Sequence, residues 1–411
     1  MNLRQPFKNH MACPNVANGS MIIQNSASTL NQLNLQSYNF AKKFFKNDIH
    51  YTKFLNNVDE YSNSTSESLQ KILKIAIIGV PNSGKSTLIN QIVGRNVLAI
   101  SKKVHTTRCH ARAVLICDNT QLIFVDTPGL VTVKESVKHH LERSFLTDSE
   151  EAIKESDLIG VLHDVSNKYT MYKLDPKVLR LLYLYQNKPS FLILNKVDTM
   201  KSKRELLDCV RILTGQSNER DQHSYHGNSI TEAELQDIVN EQSGWPHFKD
   251  VFMISALTGD GVGDIQLYLM KFAKYGKWIF PSSVFTDQNE VTVIRNCVFS
   301  KLLDYLPNVI PYNLGIEIEY MNIASDGSVI AIILINTKNE RIKNMVLGKG
   351  GSTIRKIATE VEQSLRTCYL NDVRIKLVVQ EKANFKQNNK NDHFKQNNKN
   401  DPNALIFDQL G

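Results

Sequence analysis

Lysine and serine close a loop bounded by glycines at Gly79-Val80-Pro81-Asn82-Ser83-Gly84-Lys85-Ser86. Gly79 and Gly84 allow a tight turn, so that successive backbone N–H groups converge on an anion. Lys85 brings a positive charge to the β- and γ-phosphates of a nucleotide, and the Ser86 hydroxyl is a ligand for Mg²⁺. Pro81, Asn82, Ser83 and the following Thr87 complete the phosphate-binding set. Downstream, Asp126-Thr127-Pro128-Gly129 offers a second metal-site carboxylate in Asp126 and an N–H at Gly129 that can approach the γ-phosphate. Asn195-Lys196-Val197-Asp198 follows. The Asp198 carboxylate presents two acceptors to the N1–H and exocyclic amine of guanine, a donor pair that adenine lacks. Asn195 can fix the loop and bond the base edge, and the stem of Lys196 can cover the base face. Ser255-Ala256-Leu257 would add a backbone N–H for the guanine O6. In this order the segments specify GTP rather than ATP.

Phosphoryl transfer from such a site depends on positioning and charge. Between the first two motifs, Ser101–His110 reads as a switch loop that lends a threonine hydroxyl to Mg²⁺ when the γ-phosphate is present. Thr106 and Thr107 both qualify, with Thr107 slightly preferred; Lys85 and Thr107 are then the catalytic pair. After Gly129 comes Leu130, where many switch GTPases carry a water-orienting glutamine. Leucine can neither donate to nor accept from water, so slow intrinsic hydrolysis is expected, and no side chain stands out as a general base.

These loops need a scaffold, and each sits at the end of an apolar run. Leu73–Gly79, Ala113–Cys117, Leu122–Val125, Leu158–Val165, Ser190–Leu194 and Val251–Ile254 read as strands. Helical patterns at Lys85–Val93, Ser136–Phe145 and Pro176–Tyr185 lie between them. The alternation implies an α/β domain with a mostly parallel sheet over 71–275. Residues 200–245 are longer than a strand-to-helix connection requires, with a polar middle, and read as a surface insertion. A stretch with Gly276, Pro281 and paired serines reads as a linker over 276–289.

A second unit, 290–382, runs helix (Glu290–Leu306), strand (Leu314–Tyr320), strand (Ser328–Ile335), helix (Glu340–Leu347), Gly348-Lys349-Gly350-Gly351, helix (Ser352–Leu365), strand (Val373–Val379). A GxxG loop between helices lets a nucleic-acid backbone approach closely. This order fits an α+β KH domain of type II, in which the extra elements precede the core. Arg341, Lys343, Lys349, Arg355 and Lys356 would contact phosphates, with Ile342, Val346, Ile354 and Ile357 lining the base groove.

The formal charge of +8 favours polyanionic partners, nucleic acid or an acidic membrane surface, without choosing between them. None of Cys13, Cys109, Cys117, Cys209, Cys297 and Cys368 forms a C-x-x-C pair. That pattern argues against a zinc site or a secreted disulfide framework and for reduced thiols. From Met1 to Asn47 the chain lacks Asp and Glu. Residues 1–70 therefore read either as an organellar transit peptide or as a low-complexity leader. The tail from 383 carries the polar repeat NFKQNNKND/HFKQNNKND, which cannot bury a core.

Taken together, GVPNSGKS, HTTR, DTPGL, NKVD, the SAL segment and the C-terminal GxxG module resemble the Era-like GTPases over about Leu73 to Val379. The segments KHHLERSFLTD, WPHF and LPNVIPYN are more similar to the animal mitochondrial branch of that family than to the bacterial one. The resemblance implies a GTP- and Mg²⁺-dependent RNA chaperone in the mitochondrial matrix. It implies binding to the 3′ region of small-subunit (12S-type) rRNA and assistance to the assembling small ribosomal subunit. Contact with the inner-membrane surface is a further expectation; a DNA partner is not. Two other readings use the same motifs: an RNA-binding assembly factor with a vestigial nucleotide site, and a GTPase acting in tRNA modification.

Overall fold

Long runs of Ile, Val and Leu without alternating polar residues suit strands buried on both faces, and such strands make the centre of the first domain. In the computed structural model the described residues are 70–101, 111–127, 129–130, 144–215, 232–307 and 309–382. The leader, the loop carrying Thr106 and Thr107, and the tail lie outside them. The strands β1 (Lys71–Ile78), β2 (Ala111–Cys117), β3 (Thr120–Asp126), β4 (Leu158–Asp164), β5 (Ser190–Asn195) and β6 (Phe248–Ile254) form a sheet in the order β2-β3-β1-β4-β5-β6. All neighbours are parallel except β2 with β3, and a short β7 (Lys274–Tyr275) pairs antiparallel with the start of β1.

Helices cover both faces. On one face Ile75, Ile77, Phe124, Phe191 and Ile193 pack with Leu88, Ile89 and Ile92 of α1 (Lys85–Val93). Helix α2 (Ser144–Glu155) and α3 (Pro176–Leu184) contribute Ala152, Ile153, Val178 and Leu179 to the opposite face, against Ala76, Ile78, Ile159 and Leu192. Asp175 caps α3 by accepting from Lys177 N, with Pro176 in the first turn. The flanks of the expected insertion are helical. Helix α4 (Lys203–Leu213) and α5 (Glu232–Glu241) place Leu206, Cys209, Leu213, Leu235 and Val239 in the same core, beside a fully buried Trp245. Their apolar spacing is helical; the polar stretch between them obscures it in the sequence. Helix α6 (Val262–Phe272) returns along the α1 face through Ile265 and Leu269.

Residues 276–289 are bonded to the first domain at both ends of the stretch 276–287. Trp278 donates through its backbone N to Gln70 Oε1 and through Nε1 to Lys71 O, both 3.1 Å. Gln121, wholly buried, accepts from the N–H groups of Ile279 and Phe280 at 3.0 and 3.1 Å and donates to Phe280 O at 2.8 Å. The strap then runs antiparallel to the outer edge of β2. Val114 N donates to Phe285 O, Ala113 bridges Thr286, and Arg112 N donates to Asp287 Oδ1. An edge strand that would otherwise present unpaired backbone groups is thereby covered.

In the second domain, α7 (Glu290–Tyr305), α8 (Glu340–Leu347) and α9 (Ser352–Tyr369) pack on the 3-stranded sheet β8 (Gly315–Ile323), β9 (Val329–Thr337), β10 (Val373–Glu381). Strand β9 is central, antiparallel to β8 and parallel to β10. Burial pushes the thiols of Cys209, Cys297 and Cys368 up to about 12, and none of the described cysteines is paired. Among the described residues no helix is long and apolar enough to cross a membrane.

Replacing Gln121 with Leu should leave the strap's N–H groups without their acceptor. A loss of about 1–3 kcal/mol is expected, read as a lower urea midpoint at unchanged m-value.

Candidate nucleotide and RNA sites

Every nucleotide motif emerges at the carboxyl end of a sheet strand, where ligands of open α/β sheets bind. Gly79 follows β1, Asp126 ends β3, Asn195 ends β5 and Ser255 follows β6. Gly79 must be glycine because an added Cβ would lie 2.4 Å from Leu162 O on β4. Gly84 has φ +104, and a Cβ there would lie 2.4 Å from Asn195 Nδ2. The loop between them includes Asn82 at φ 60 and ends at the N-terminus of α1, whose backbone N–H groups face the loop.

Lys85 is buried and donates to Gly79 O and Val80 O, each at 3.0 Å. Burial lowers its pKa to about 8, against the opposing pull of the Asp126 carboxylate. Asp126, with no exposure, accepts from Ser86 Oγ at 2.8 Å. One hydroxyl and one carboxylate side by side match Mg²⁺, which is held by one or two protein oxygens plus substrate phosphates rather than by an all-protein cage. Gly129 lies so close to the phosphate loop that a Cβ would be 2.6 Å from Pro81 Cα. Thr127 donates to Ile77 O, fixing the turn after β3 to β1.

Asn195 is the joint of the site. Its Nδ2 donates to Ser83 O at 2.7 Å and its Oδ1 accepts from Ala256 N at 2.9 Å. The Ser255 N–H is also committed, to Asp260 O at 3.0 Å. Of the three N–H groups in the segment expected to serve the guanine O6, those of Ser255 and Ala256 have protein acceptors, and Leu257 is 79% exposed. Lys196 sits at φ 67 with its ammonium on Asp164 Oδ2 at 2.5 Å, and Asp198 is exposed at the mouth. Burial pushes the Asp164 carboxyl up, but hydrogen bonds from Lys196 and Ser166 outweigh it and hold the group below its usual range. Asp164 was not foreseen. Its signal was an acid ending the apolar run Leu158–Val165, as Asp126 ends β3. Thr107 lies outside the described residues, but both ends of its loop touch the second half of the chain. Ser101 Oγ donates to Asp304 Oδ1 on α7 at 2.9 Å, and Arg112 is ion-paired with Asp287 at 3.8 Å.

In the second domain, Gly348, Gly350 and Gly351 all have positive φ. A Cβ at Gly348 would clash with Thr353, whereas at Gly350 it would meet nothing within 4 Å, so that face is open to a phosphate backbone. Arg341, Lys349 and Lys356 are exposed and Lys343 half-buried. Arg355 folds back onto the loop, donating to Gly351 O at 3.2 Å and to Gly350 O, so it braces the turn as well as charging it. Val346 and Ile357 cannot line the groove: both have no exposure and belong to the domain core. Ile342 and Ile354 lie one turn away on the same helix faces, half-buried and packed against that core.

A phosphate loop on a mostly parallel sheet, the Asn195-Lys196-Val197-Asp198 segment after β5 and a following GxxG domain are the marks of a GTPase carrying an RNA-binding type of module. The family model for a 50S ribosome-binding GTPase matches residues 74–196, and that for a KH domain matches residues 310–384. The mitochondrial GTPase Era of Salmo salar is 38% identical over 76% of this chain and 77% of its own length. That of Danio rerio is 39% identical over 75% of each. Among solved structures, Era in complex with MgGDPNP and nucleotides 1506–1542 of 16S ribosomal RNA covers 76% of this chain and 94% of its own at 23% identity, TM-score 0.57. An Aquifex aeolicus Era variant bound to GDP and aluminium fluoride matches equally well. The chain belongs to the Era family of GTPases, and its activity is the hydrolysis of GTP.

The depressed Lys85 pKa makes nucleotide affinity pH-dependent. Phosphates beside the ammonium favour its charged form, so binding takes up a proton wherever the free group is neutral. Affinity should be flat below pH 8 and weaken as pH rises through about 8. Titration calorimetry at pH 8.5 in buffers of different ionisation enthalpy should show proton uptake.

Proposed function

We propose that this chain is a GTP-controlled chaperone of small-subunit ribosomal RNA in the mitochondrial matrix, assisting assembly of the small ribosomal subunit. The observation that carries the reading is the joining of an intact nucleotide site to an open GxxG loop in one chain. The bonds of Lys85 to the phosphate loop, of Ser86 to Asp126 and of Asn195 to Ser83 support a working nucleotide site over a vestigial one. The GxxG domain in turn disfavours a role in tRNA modification. The RNA bound to the solved Era relative, nucleotides 1506–1542 of 16S rRNA, supports the client.

Gly79, Pro81, Asn82, Ser83, Gly84, Lys85 and Thr87 cradle the phosphates. Ser86, Asp126 and Thr107 would hold Mg²⁺, which would supply positive charge beside the nucleotide phosphates. Asp198 selects guanine, the Lys196 stem, braced by Asp164, covers its face, and Leu257 donates to O6. Gly129 approaches the γ-phosphate. Gly348, Lys349, Gly350 and Gly351, with Arg341, Lys343 and Lys356, receive the RNA backbone, and Arg355 shapes their loop. Nucleotide state reaches that surface through the stems of the switch loop, because Ser101 bonds Asp304 and Arg112 pairs with Asp287. The ligand shifts the arrangement only by its difference in affinity for the two states. A peripheral contact with the inner membrane belongs to the same proposal, through the chain's net basic charge.

Asp198→Asn should shift preference from guanine toward xanthine nucleotides, measured by competition; unchanged GTP selectivity would remove Asp198 from the base site. Crosslinking to RNA in intact cells, followed by sequencing, should concentrate reads at the 3′ end of mitochondrial small-subunit rRNA. A variant with aspartate at Lys349 and Gly350 should lose those reads while still binding GTP. Reads scattered over unrelated RNAs would end the assembly reading.

A further inference from the structure

The geometry points to Lys177 as a positioning residue for GTP hydrolysis, acting through the main chain of Leu130; the inference rests on the phosphate-site reading above. Leu130 has no side-chain chemistry to offer a water, and its side chain is spent on packing: it is 7% exposed within the core formed by α2 to α5. Its backbone is held on both sides. The Leu130 N–H donates to Gly79 O, the first residue of the phosphate loop, at 3.3 Å. The Leu130 carbonyl accepts from Lys177 Nζ at 3.2 Å. The preceding Gly129 is pressed on Pro81, with room for no Cβ. The segment that meets the γ-phosphate is therefore clamped between the phosphate loop and α3, and Lys177 is the side-chain jaw of that clamp.

The place of Lys177 on its helix supports the same conclusion. It lies in the first turn of α3, directly after Asp175 and Pro176. A cation there opposes the helix macrodipole, so helix stability does not explain a lysine at this position. Its hydrogen bond to the Leu130 carbonyl gives it a role outside its own helix. Fixed backbone dipoles at a phosphoryl-transfer site act without reorganising during the reaction, and small misplacements of such groups reduce rate steeply. In a site without a glutamine, the orientation of the Gly129–Leu130 main chain carries more of that burden. GDP has no γ-phosphate to meet this segment, so the clamp should matter for GTP turnover and for preference of GTP over GDP, but not for GDP affinity.

The test uses the full chain as wild type, Lys177→Met and Lys177→Arg. It reads kcat at saturating GTP, the Kd of GDP and of a non-hydrolysable GTP analogue, and the thermal midpoint. K177M is expected to lower kcat by about ten- to a hundredfold and to weaken analogue binding relative to GDP, with GDP affinity and midpoint unchanged. K177R should recover part of the rate, since a guanidinium can still donate to the carbonyl. Wild-type turnover and preference in K177M would overturn the proposal. So would a joint fall of kcat, GDP affinity and midpoint that arginine does not rescue, because that is the signature of a merely structural lysine. Absence of GTP turnover in the wild type would instead overturn the reading of the phosphate site itself.

Discussion

The nucleotide site depends on one buried carboxamide. Asn195 donates to the phosphate loop at Ser83 and accepts from the base-side loop at Ala256. It thereby makes two loops, far apart in sequence, into one rigid mouth. Gly84 is the steric condition for this joint, since any side chain there would occupy the space of the Asn195 amide. A buried amide with both ends satisfied rigidifies its surroundings, and one left half-satisfied would be strongly destabilising. The two loops are thus coupled through a residue whose own polar atoms are largely engaged by protein.

Around that mouth, charge is handled by burial and pairing. Lys85 is desolvated beside the buried Asp126, so its ammonium is strained until an anion compensates it. Asp164 anchors Lys196, and Asp198 stays exposed at the mouth. The same economy links the two domains. The strap 276–289 is bound by Gln70 and Gln121 at the start of the sheet and covers the edge of β2. It hands over to α7, whose Asp304 meets Ser101. Ser101 thus bonds the second domain at Asp304, and Arg112 pairs with Asp287 of the strap.

Much of this was legible in the residues. The strands ending in Gly79, Asp126 and Asn195, helix α1, and the helix–GxxG–helix order follow from local patterns of apolar residues and glycine, and the structure places them within a few residues of those patterns. Helices α4 and α5 were not legible, because their apolar faces are narrow and separated by a long polar stretch. Val346 and Ile357 were misread for a related reason: a helix beside a GxxG loop presents apolar residues to both core and groove, and periodicity does not say which is which.

The sequence by itself determined which chemical groups are available: a glycine-bounded loop ending in Lys85 and Ser86, carboxylates at Asp126 and Asp198, and a GxxG loop with basic flanks. Those are properties of residue type and short spacing, set by backbone freedom and side-chain charge. Only the tertiary structure decided which groups remain open. The N–H groups of Ser255 and Ala256 are engaged by partners at Asp260 and Asn195, Arg355 is turned onto its own loop, and Leu130 is clamped by Lys177. Most of these outcomes depend on atoms brought together from distant parts of the chain, because a hydrogen-bonding group used by one neighbour is no longer available to a ligand, and no local pattern records that exchange.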